Sequence, residues 1–457
     1  MFDVGCSPDR AQVGHPPCPS PTRACPSPTH TLRTISNPRP PTSDLRPMPI
    51  QSIEDVVSWR LCVGCGACAY WSGGALRMEN DPAHGHRPVL NGPRDAAALR
   101  ECLKVCPGVE TRMAGDDRNA DPLGGVAAGV GPVLEVWEGF ATDPETRFKG
   151  SSGGALTALS RYAIERGGMH GVLHVAADPA QPLHNRTVMS RSYEDLLAAT
   201  GSRYAPASAC DGLQKIEEAP APCVFVGQPS EVAALRKAQA LRPALDRKVG
   251  VALSFFCAGS PATRGTEELL KRKGIDPTRV EKLRYRGRGW PGMFAVWLKG
   301  EREPALEMTY AESWAFVQAY RPWSVHLWPD GCGEHADVSC GDPWYREVQP
   351  GEHGSSLVVV RSEAGRRLVR GAMEAGYLEL VPSSVERVVA SQKGLVVKKG
   401  AVWGRLLSMR LMGLPAPAHA GYGLLRTWLR IPFSEKLRST VGTVRRVLRR
   451  RYHKPAA

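Results

Sequence analysis

The chain has 457 residues, of which 42% are apolar and 23% are charged. This length accommodates two or three domains with sizeable cores, and this composition excludes collagen-like and wholly disordered classes. No apolar run approaches the roughly 18 residues of a membrane span, and the N-terminus has no apolar core of a signal peptide. We therefore expect a cytoplasmic protein, in which clustered cysteines more often bind metal than form disulfides.

The net charge and the prolines are unevenly distributed along the chain. Of the net charge of +14, +11 falls between Arg405 and the C-terminus. Residues 1–47 contain 11 of the 39 prolines and no helical or strand periodicity, which predicts a disordered extension. We expect a ferredoxin-like module at 48–125, an α/β region at 126–400 and a basic amphipathic tail at 401–457.

The stretch "LCVGCGACAYW" places Cys62, Cys65 and Cys68 at C-x2-C-x2-C spacing. Thiolates at this spacing bind three irons of a cubane cluster, whose fourth iron is usually bound by a distant Cys that precedes Pro. Cys106 precedes Pro107 and is the predicted fourth ligand, while Cys102 competes for that role. Zinc is the alternative, although zinc sites favour two separated C-x2-C pairs. The spacing predicts one 4Fe-4S cluster.

From residue 133 onward, strand and helix patterns alternate. Alternation of this kind indicates βαβ crossovers and a largely parallel sheet. Strands are predicted at "VLEVWEGFA", "GVLHVAAD", "APCVFVGQP" and "KVGVALSFFC". Helices are predicted at "GGALTALSRYAIERGG", at "SEVAALRKAQAL" with Ser230 as N-cap, and at "TRGTEELLKRKG".

Five motifs occur in order: "KGSSGGALTAL", "GSRYAPAS", "VFVGQPSEVAALRKA", "RYRGRGWPG" and "ADVSCGDPW". With them the chain, over about residues 55–400, resembles the coenzyme F(420) hydrogenase/dehydrogenase beta-subunit family, to which 7-hydroxymethyl chlorophyll a reductase is related. The resemblance implies an FAD-bearing α/β domain joined to a ferredoxin-like module. It further implies electron exchange between a cluster and the flavin, and hydride exchange between the flavin and a substrate or deazaflavin.

Site residues follow from the residue chemistry together with the resemblance. Backbone N–H groups and hydroxyls at a helix N-terminus suit a flavin phosphate, although a plain capped helix explains the same residues. The end of a buried strand is where α/β sheets place ligands. The predicted flavin contacts are Ser151, Ser152, Gly153, Gly154, Ser202, Arg203, Tyr204, Gly227, Gln228, Asp337 and Asp342. Asp337 and Asp342 have turn capping as their alternative role.

Some positions depart from the family pattern, and others are weaker candidates for a binding site. Ser230 stands where many relatives have Cys, and Val325 and Trp328 replace a cysteine pair. New cysteines appear at positions 332 and 340, and we favour loss of a metal or redox function in this region over its partial replacement. Arg286, Arg288 and Trp290 suit an anionic substrate or a basic turn. His326 and His335 are expected to be ordinary polar residues.

The tail "YGLLRTWLRIPFSEKLRSTVGTVRRVLRRRYHK" has apolar and basic residues at near-helical spacing. Leu424, Leu425, Trp428, Leu429 and Ile431 are expected on one face, and Val441, Val444 and Leu448 on another. Such a helix suits an anionic membrane surface, or a helix docked on its own domain. No nucleic-acid motif accompanies the charge. We expect the tail to be separable from the redox domains.

The leading hypothesis is an iron–sulfur flavoprotein oxidoreductase. One 4Fe-4S cluster and FAD are its expected cofactors, and ferredoxin or another redox protein is its expected electron donor. No side chain is required as acid or base, because the cofactor carries the chemistry. The alternative is a non-catalytic docking or scaffold protein linked to polysaccharide biosynthesis. The substrate is not specified by any motif.

Overall fold

The computed structural model describes residues 50–113, 121–349 and 351–456. The extension predicted at 1–47 lies outside the described residues. The cysteine module consists of two short helices, a hairpin, a third helix that continues into a 3-10 turn at Cys102–Val105, and a short strand. These elements are α1 (Ile53–Ser58), α2 (Ala67–Trp71), β1 (Leu76–Asp81), β2 (Gly85–Leu90), α3 (Ala96–Glu101) and β3 (Glu110–Arg112).

The remaining elements alternate largely as predicted. The strands are β4 (Glu135–Ala141), β5 (Val172–Ala177), β6 (Asn185–Ser190), β7 (Cys223–Gly227), β8 (Val249–Phe255), β9 (Val280–Arg284), β10 (Met293–Leu298), β11 (Leu306–Thr309), β12 (Val338–Gly341), β13 (Ser356–Val360), β14 (Leu378–Pro382) and β15 (Ala418–Ala420). The helices are α4 (Gly125–Ala128), α5 (Pro144–Lys149), α6 (Ala155–Glu165), α7 (Tyr193–Ala198), α8 (Leu213–Glu217), α9 (Pro229–Leu241), α10 (Pro243–Lys248), α11 (Thr263–Arg272), α12 (Tyr310–Val317), α13 (Trp323–Leu327), α14 (Glu363–Glu374), α15 (Val385–Ser391), α16 (Lys393–Leu411), α17 (Leu424–Arg430) and α18 (Phe433–Arg449).

The central sheet has eight strands in the order β14-β4-β13-β12-β8-β7-β5-β6. Strands β12, β8, β7 and β5 are parallel neighbours, and antiparallel strands flank them on both sides. With β4 included, five of the eight strands point the same way. The α/β class is confirmed, and the antiparallel strands lie outside the parallel centre, as is common in mixed sheets. A separate antiparallel sheet has the order β11-β10-β9.

Both faces of the central strands are buried. In β7, Val224 and Val226 pack in the core that contains α6 and α14, whereas Phe225 packs in the core that contains α8 and α9. Side chains alternate between the two faces of a strand, so apolar residues at successive positions require helices on both sides. This explains why the strand reads as a continuous apolar run.

One predicted helix boundary is wrong. Helix α9 begins at Pro229 with Gln228 as N-cap, so Ser230 lies inside the first turn. The Glu231 carboxylate accepts the Gln228 N–H at 2.7 Å, and Pro229 needs no donor at the first helical position. The cap therefore comes two residues earlier than the serine.

The tail packs against the cysteine module, which argues against the predicted separation of the tail from the redox domains. Strand β15 pairs in parallel with β3, and the Ala456 N–H donates to the Ser58 carbonyl at 2.7 Å. Val402 and Leu406 of α16 share one core with Ile53 and the thiol-bearing loop. None of the described helices combines the length and hydropathy that a membrane crossing requires.

Candidate functional site

The loop between Cys62 and Cys68 turns tightly through two glycines. Gly64 and Gly66 have φ values of +80° and +86°, which side-chain-bearing residues adopt at a cost. A Cβ atom on Gly66 would lie 2.7 Å from the Asp211 nitrogen. The loop therefore needs glycine both for its turn and for its close approach to residues 208–211.

The four predicted ligands converge in the interior. Cys62, Cys65, Cys68 and Cys106 are each at most 7% exposed. Burial, followed by the neighbouring thiols, raises the pKa of Cys65 and Cys68 well above its ordinary value, and raises that of Cys106 to about 12. Thiols in such surroundings remain protonated unless a metal stabilises the thiolate.

Hydrogen bonding distinguishes Cys102 from the four predicted ligands. Backbone N–H groups, of Ala67 for Cys65 and of Gly108 and Val109 for Cys106, partly offset the rise in the pKa of these two thiols. The Cys102 thiol donates to the Cys68 carbonyl at 3.5 Å. A donor role requires a thiol, so this hydrogen bond favours a structural role for Cys102 and leaves Cys106 as the predicted fourth ligand.

Among the described residues, no three His, Cys, Asp or Glu side chains stand at the spacing that one metal ion requires. In a cluster each thiolate binds a different iron, so its ligands stand further apart than the ligands of a single ion. The zinc alternative and the cluster assignment of the four cysteines both stay predictions.

The cysteine loop is bound directly to the α/β region. The Cys210 N–H donates to the Cys65 carbonyl at 3.0 Å, and the Ser208 hydroxyl donates to the Gly64 carbonyl at 2.7 Å. The neighbouring Ala209 N–H donates to the carboxylate of Glu231 at 2.8 Å. Glu231 in turn lines a large cavity, so one layer of residues separates that cavity from the cysteine loop.

The cavity has a volume of about 780 Å³, within the usual range of roughly 300–1,000 Å³ for ligand sites. It lies at the carboxyl ends of β7 and β8, where Gly227 and Phe255 line it, as expected for an α/β sheet. Glu231 is 2% exposed, and burial raises its pKa to about 7. Sequence reasoning missed Glu231, which lies in the first turn of a predicted helix and in no predicted site.

The N-terminus of α6 borders the cavity. The helix has Gly154 as N-cap, with φ of +75° and no side-chain cap, so its first N–H groups lack a capping acceptor. Ser151, Ser152 and Gly154 line the cavity, but Gly153 does not, because its N–H donates to the Ser356 hydroxyl at 2.9 Å. Three of the four predicted residues are thus at the surface of the cavity.

Aromatic side chains form another part of the cavity wall. Tyr204 lies 5.0 Å from Trp314 and 5.8 Å from Tyr310 between ring centroids. Tyr310 is stacked on Trp344 at 6.1 Å, and all four rings line the cavity. Of these, only Tyr204 was predicted: Tyr310 and Trp314 lie in a segment without a family motif, and Trp344 ends the motif "ADVSCGDPW", of which only the two aspartates were singled out.

Arg286 and Arg203, two residues singled out in the sequence, form hydrogen bonds with other groups of the protein. Arg286 forms a bidentate pair with Asp342 at 2.9 and 2.5 Å, and Trp290 Nε1 donates to the same carboxylate at 2.7 Å. Both members of the pair line the cavity. Arg203 also borders it but donates to Asn185 and to backbone carbonyls. These side chains are therefore part of the cavity wall, and few of their N–H groups are free to bind a ligand.

Asp337 lies away from the cavity lining. Its carboxylate accepts the Ala252 N–H at 2.7 Å, the Arg236 guanidinium at 2.9 Å and the Ser362 hydroxyl at 2.5 Å. It therefore joins β8, α9 and the start of α14. This arrangement supports the structural alternative for Asp337. Ser202 and Gln228, by contrast, both line the cavity.

The later cysteines do not form a pair. Cys332 and Cys340 lie in different cores, and burial raises the pKa of each to about 12. Val325 packs closely against Gly259, and Trp328 is buried against the His419 ring. This packing supports loss of a metal or redox role in the region.

Two family models match the α/β part of the chain. The model for the coenzyme F(420) hydrogenase/dehydrogenase beta subunit N-terminus matches residues 136–214, and that for the C terminus matches residues 222–386. Together they span more than half of the chain. The chain belongs to this family. It is therefore an oxidoreductase of the beta-subunit type.

Curated relatives carry related names. A coenzyme F(420)-dependent sulfite reductase of Methanocaldococcus jannaschii is 26% identical over 70% of this chain and 47% of its own length, so the chain spans about half of that relative. A coenzyme F(420) hydrogenase subunit beta of Methanothermobacter thermautotrophicus is 24% identical over 63% of this chain and 99% of its own length. A chain of the F(420)-reducing NiFe hydrogenase complex from Methanosarcina barkeri aligns with a TM-score of 0.46 at 22% identity, covering 60% of this chain and 95% of that one.

Proposed function

We propose that this oxidoreductase is an iron–sulfur flavoprotein. In this proposal Cys62, Cys65, Cys68 and Cys106 hold one 4Fe-4S cluster, and the 780 Å³ cavity holds FAD. The observation that carries it is the single layer of residues, 207–211 and Glu231, between the cysteine loop and the cavity. Two redox groups need such proximity to exchange electrons.

The cysteine site fits a cluster by its chemistry. Four buried sulfurs lie close enough together to raise one another's pKa, and backbone N–H groups near Cys65 and Cys106 favour the thiolate form. The Lys237 ammonium donates to the Cys106 carbonyl at 3.0 Å and to the Glu110 carbonyl at 2.8 Å, which fixes the segment that carries the fourth cysteine. A positive charge there also offsets the negative charge of a thiolate site.

The cavity fits a flavin by its wall. The uncapped N-terminus of α6 and the Ser151 and Ser152 segment suit phosphate oxygens. The aromatic part, with Tyr310 and Trp344, suits a planar ring system. When bound, the cluster supplies one-electron transfer and the flavin supplies the link to two-electron chemistry. The protein positions these groups and limits the access of water.

Anaerobic purification followed by iron, sulfide and flavin analysis tests the proposal. We expect about four irons and one FAD per chain, with flavin absorbance that dithionite or reduced ferredoxin bleaches. Ferredoxin or another redox protein is the proposed donor, and a small molecule or a deazaflavin is the proposed acceptor. A protein with neither iron nor flavin would contradict the proposal and favour the scaffold alternative.

We also propose that the tail contacts an anionic membrane surface peripherally. Helix α18 buries Ser439, Thr443 and Val447, yet it exposes Phe433 and Val441 by 72% and 63%. Further exposed apolar residues on α17 and α18 are Leu425, Leu429, Leu437 and Leu448. Small polar residues inside and apolar residues outside reverse the usual arrangement of a docked helix, and the accompanying basic residues complement anionic lipids.

The predicted faces of the tail are corrected in part by this packing. Leu424 and Ile431 are buried, while Leu425 and Leu429 point outward, so these four do not share one face.

Cosedimentation with phosphatidylserine vesicles tests the proposed contact of the tail with an anionic membrane. We expect salt-sensitive binding by the full chain and its loss in the double variant Phe433→Glu, Leu437→Glu. Equal binding by both proteins would contradict the proposal.

A further inference from the structure

From here on the word tail includes the whole of helix α16, which begins at Lys393. The tail in this sense supplies a group of positive charges to the cavity. Lys398 and Arg405 of α16 and Arg446 of α18 line it, together with Arg321, which follows α12. Among the described residues, none of these four side chains has a carboxylate within ion-pair distance. Glu435, the tail's one acidic residue, also lines the cavity but pairs with Arg438. The four cations, hereafter the cationic group, thus have no ion-pair partner among the described residues.

Most of the donors of the cationic group are unused. Arg321 and Lys398 each donate to the Ala258 carbonyl, at 3.0 and 3.1 Å, and Arg405 donates to the His326 carbonyl at 2.7 Å. Arg321 also donates to the carbonyl of Gln318 at 3.0 Å and to its side-chain amide at 3.5 Å. In the described part of the chain the Arg446 guanidinium makes no hydrogen bond, and it lies over the Trp323 ring. Since lysine has three donors and arginine has five, several N–H groups are left to face the cavity.

The cationic group is electrostatically costly. Burial, together with the charges of Arg321 and Arg405, lowers the pKa of Lys398 to about 8. Burial and the nearby Arg446 lower the pKa of Arg405 to about 10. Like charges gathered without a directly paired counter-charge oppose folding, and an anion among them would relieve the repulsion.

The cationic group adjoins the aromatic wall. The Arg321 guanidinium lies 5.9 Å from the centre of the Trp314 ring, which in turn contacts Tyr204. A ligand stacked on this wall therefore has an anionic substituent within reach of the cations. Lys398, Arg405 and Arg446 all follow residue 386, where the family match ends. These three residues therefore lie outside the part of the chain that the family models match.

We propose that the cationic group is a substrate subsite that binds the phosphate or carboxylate of an anionic redox substrate. This inference rests on the proposed function, because it assigns the flavin phosphates to the α6 end of the cavity and the substrate to the tail end. It makes the tail a specificity element of the active site. Uncharged substrates would lack this interaction.

Isothermal titration calorimetry on the full-length holoprotein tests the subsite, with inorganic pyrophosphate and citrate as probes. Pyrophosphate reports on phosphate recognition and citrate on carboxylate recognition. We expect binding of at least one probe, weakened about tenfold in Arg405→Gln and in Lys398→Gln, since each loses a charge-assisted hydrogen bond. The matched control is Arg449→Gln, an exposed α18 residue outside the cavity, which should bind as the native chain does.

Flavin and iron contents are measured on the same samples. Retained flavin with weakened anion binding supports the subsite. Flavin loss in parallel with anion binding would overturn it, because the cations would then hold the cofactor phosphates. Absence of anion binding in a protein that retains flavin and iron would overturn the subsite alone. Anion binding in a protein that has neither cofactor would overturn the redox proposal and leave an anion site.

Discussion

The cavity has two walls of different origin. The wall from the α/β region pairs its polar groups with one another, as in the Arg286–Asp342 pair and the Arg203 contacts with Asn185. The wall from the tail presents Lys398 and Arg405 with most of their donors free. The first wall is therefore fixed by its own contacts, and the second is built to be completed by a ligand. The shared part of a family can in this way carry a cofactor site while an appended segment selects the substrate.

The largest expected effect concerns the cysteines behind the α/β wall. Cys106→Ser should remove most of the bound iron, because its sulfur is the predicted fourth ligand and nearby backbone N–H groups favour its thiolate form. Cys102→Ser should keep most of the iron, since a serine hydroxyl can also donate to the Cys68 carbonyl. Iron analysis of the two purified variants decides between them. Equal loss in both would show that the segment's packing, and not one thiolate, retains the cluster.

The second prediction asks whether the tail wall is integral to the fold. Val447→Asp places a charge at a fully buried position of α18, so we expect the free energy of unfolding to fall by more than about 3 kcal/mol. Val441→Asp, on the exposed face of the same helix, should change it by less than about 0.5 kcal/mol. Denaturant titration measures both. Similar small effects would mean that the tail is separable after all.

The third prediction compares one glycine from each wall. Gly154 has φ of +75°, and an added Cβ would lie 2.8 Å from the Thr146 carbonyl oxygen, so Gly154→Ala should cost about 1–3 kcal/mol of stability and reduce flavin content. Gly394 lies in α16 with open space around it, so Gly394→Ala should stabilise by up to about 1 kcal/mol. Thermal unfolding and flavin analysis check both. Unchanged stability and flavin content in Gly154→Ala would contradict the tight packing that we describe at the N-terminus of α6.

The fourth prediction is a pH dependence confined to the tail wall. The pKa of Lys398 is lowered to about 8, and the groups that act on it are Cys257, Arg321, Arg405 and Asp330. Lys398 is charged below this pH and neutral above it, so affinity for sulfate, whose charge is constant in this range, should fall as pH rises through 8. Lys398→Gln should flatten the profile. An unchanged profile in that variant would assign the titration to another group.

Several features could be predicted from the sequence because local chemistry specifies them. The C-x2-C-x2-C spacing identified the loop that brings three cysteines together, and Pro107 singled out Cys106. Apolar runs identified β7 and β8 because both faces of these strands are buried. Tyr204 and the serines before α6 could be named because they lie in motifs. Asp337 was left with two possible roles, because a motif does not show which neighbouring groups a carboxylate binds.

What the sequence by itself determined is the α/β class, the family, the cysteine pattern and the basic tail. Periodicity, spacing and composition are local properties, and each of these features depends on them alone. Only the tertiary structure decided where the tail lies, because the pairing of β15 with β3 joins residues about 300 positions apart. It also decided that Glu231, Trp314 and Lys398 share one cavity with the α6 entrance. Their proximity follows from how the sheet, the cysteine module and the tail pack, which no single segment encodes.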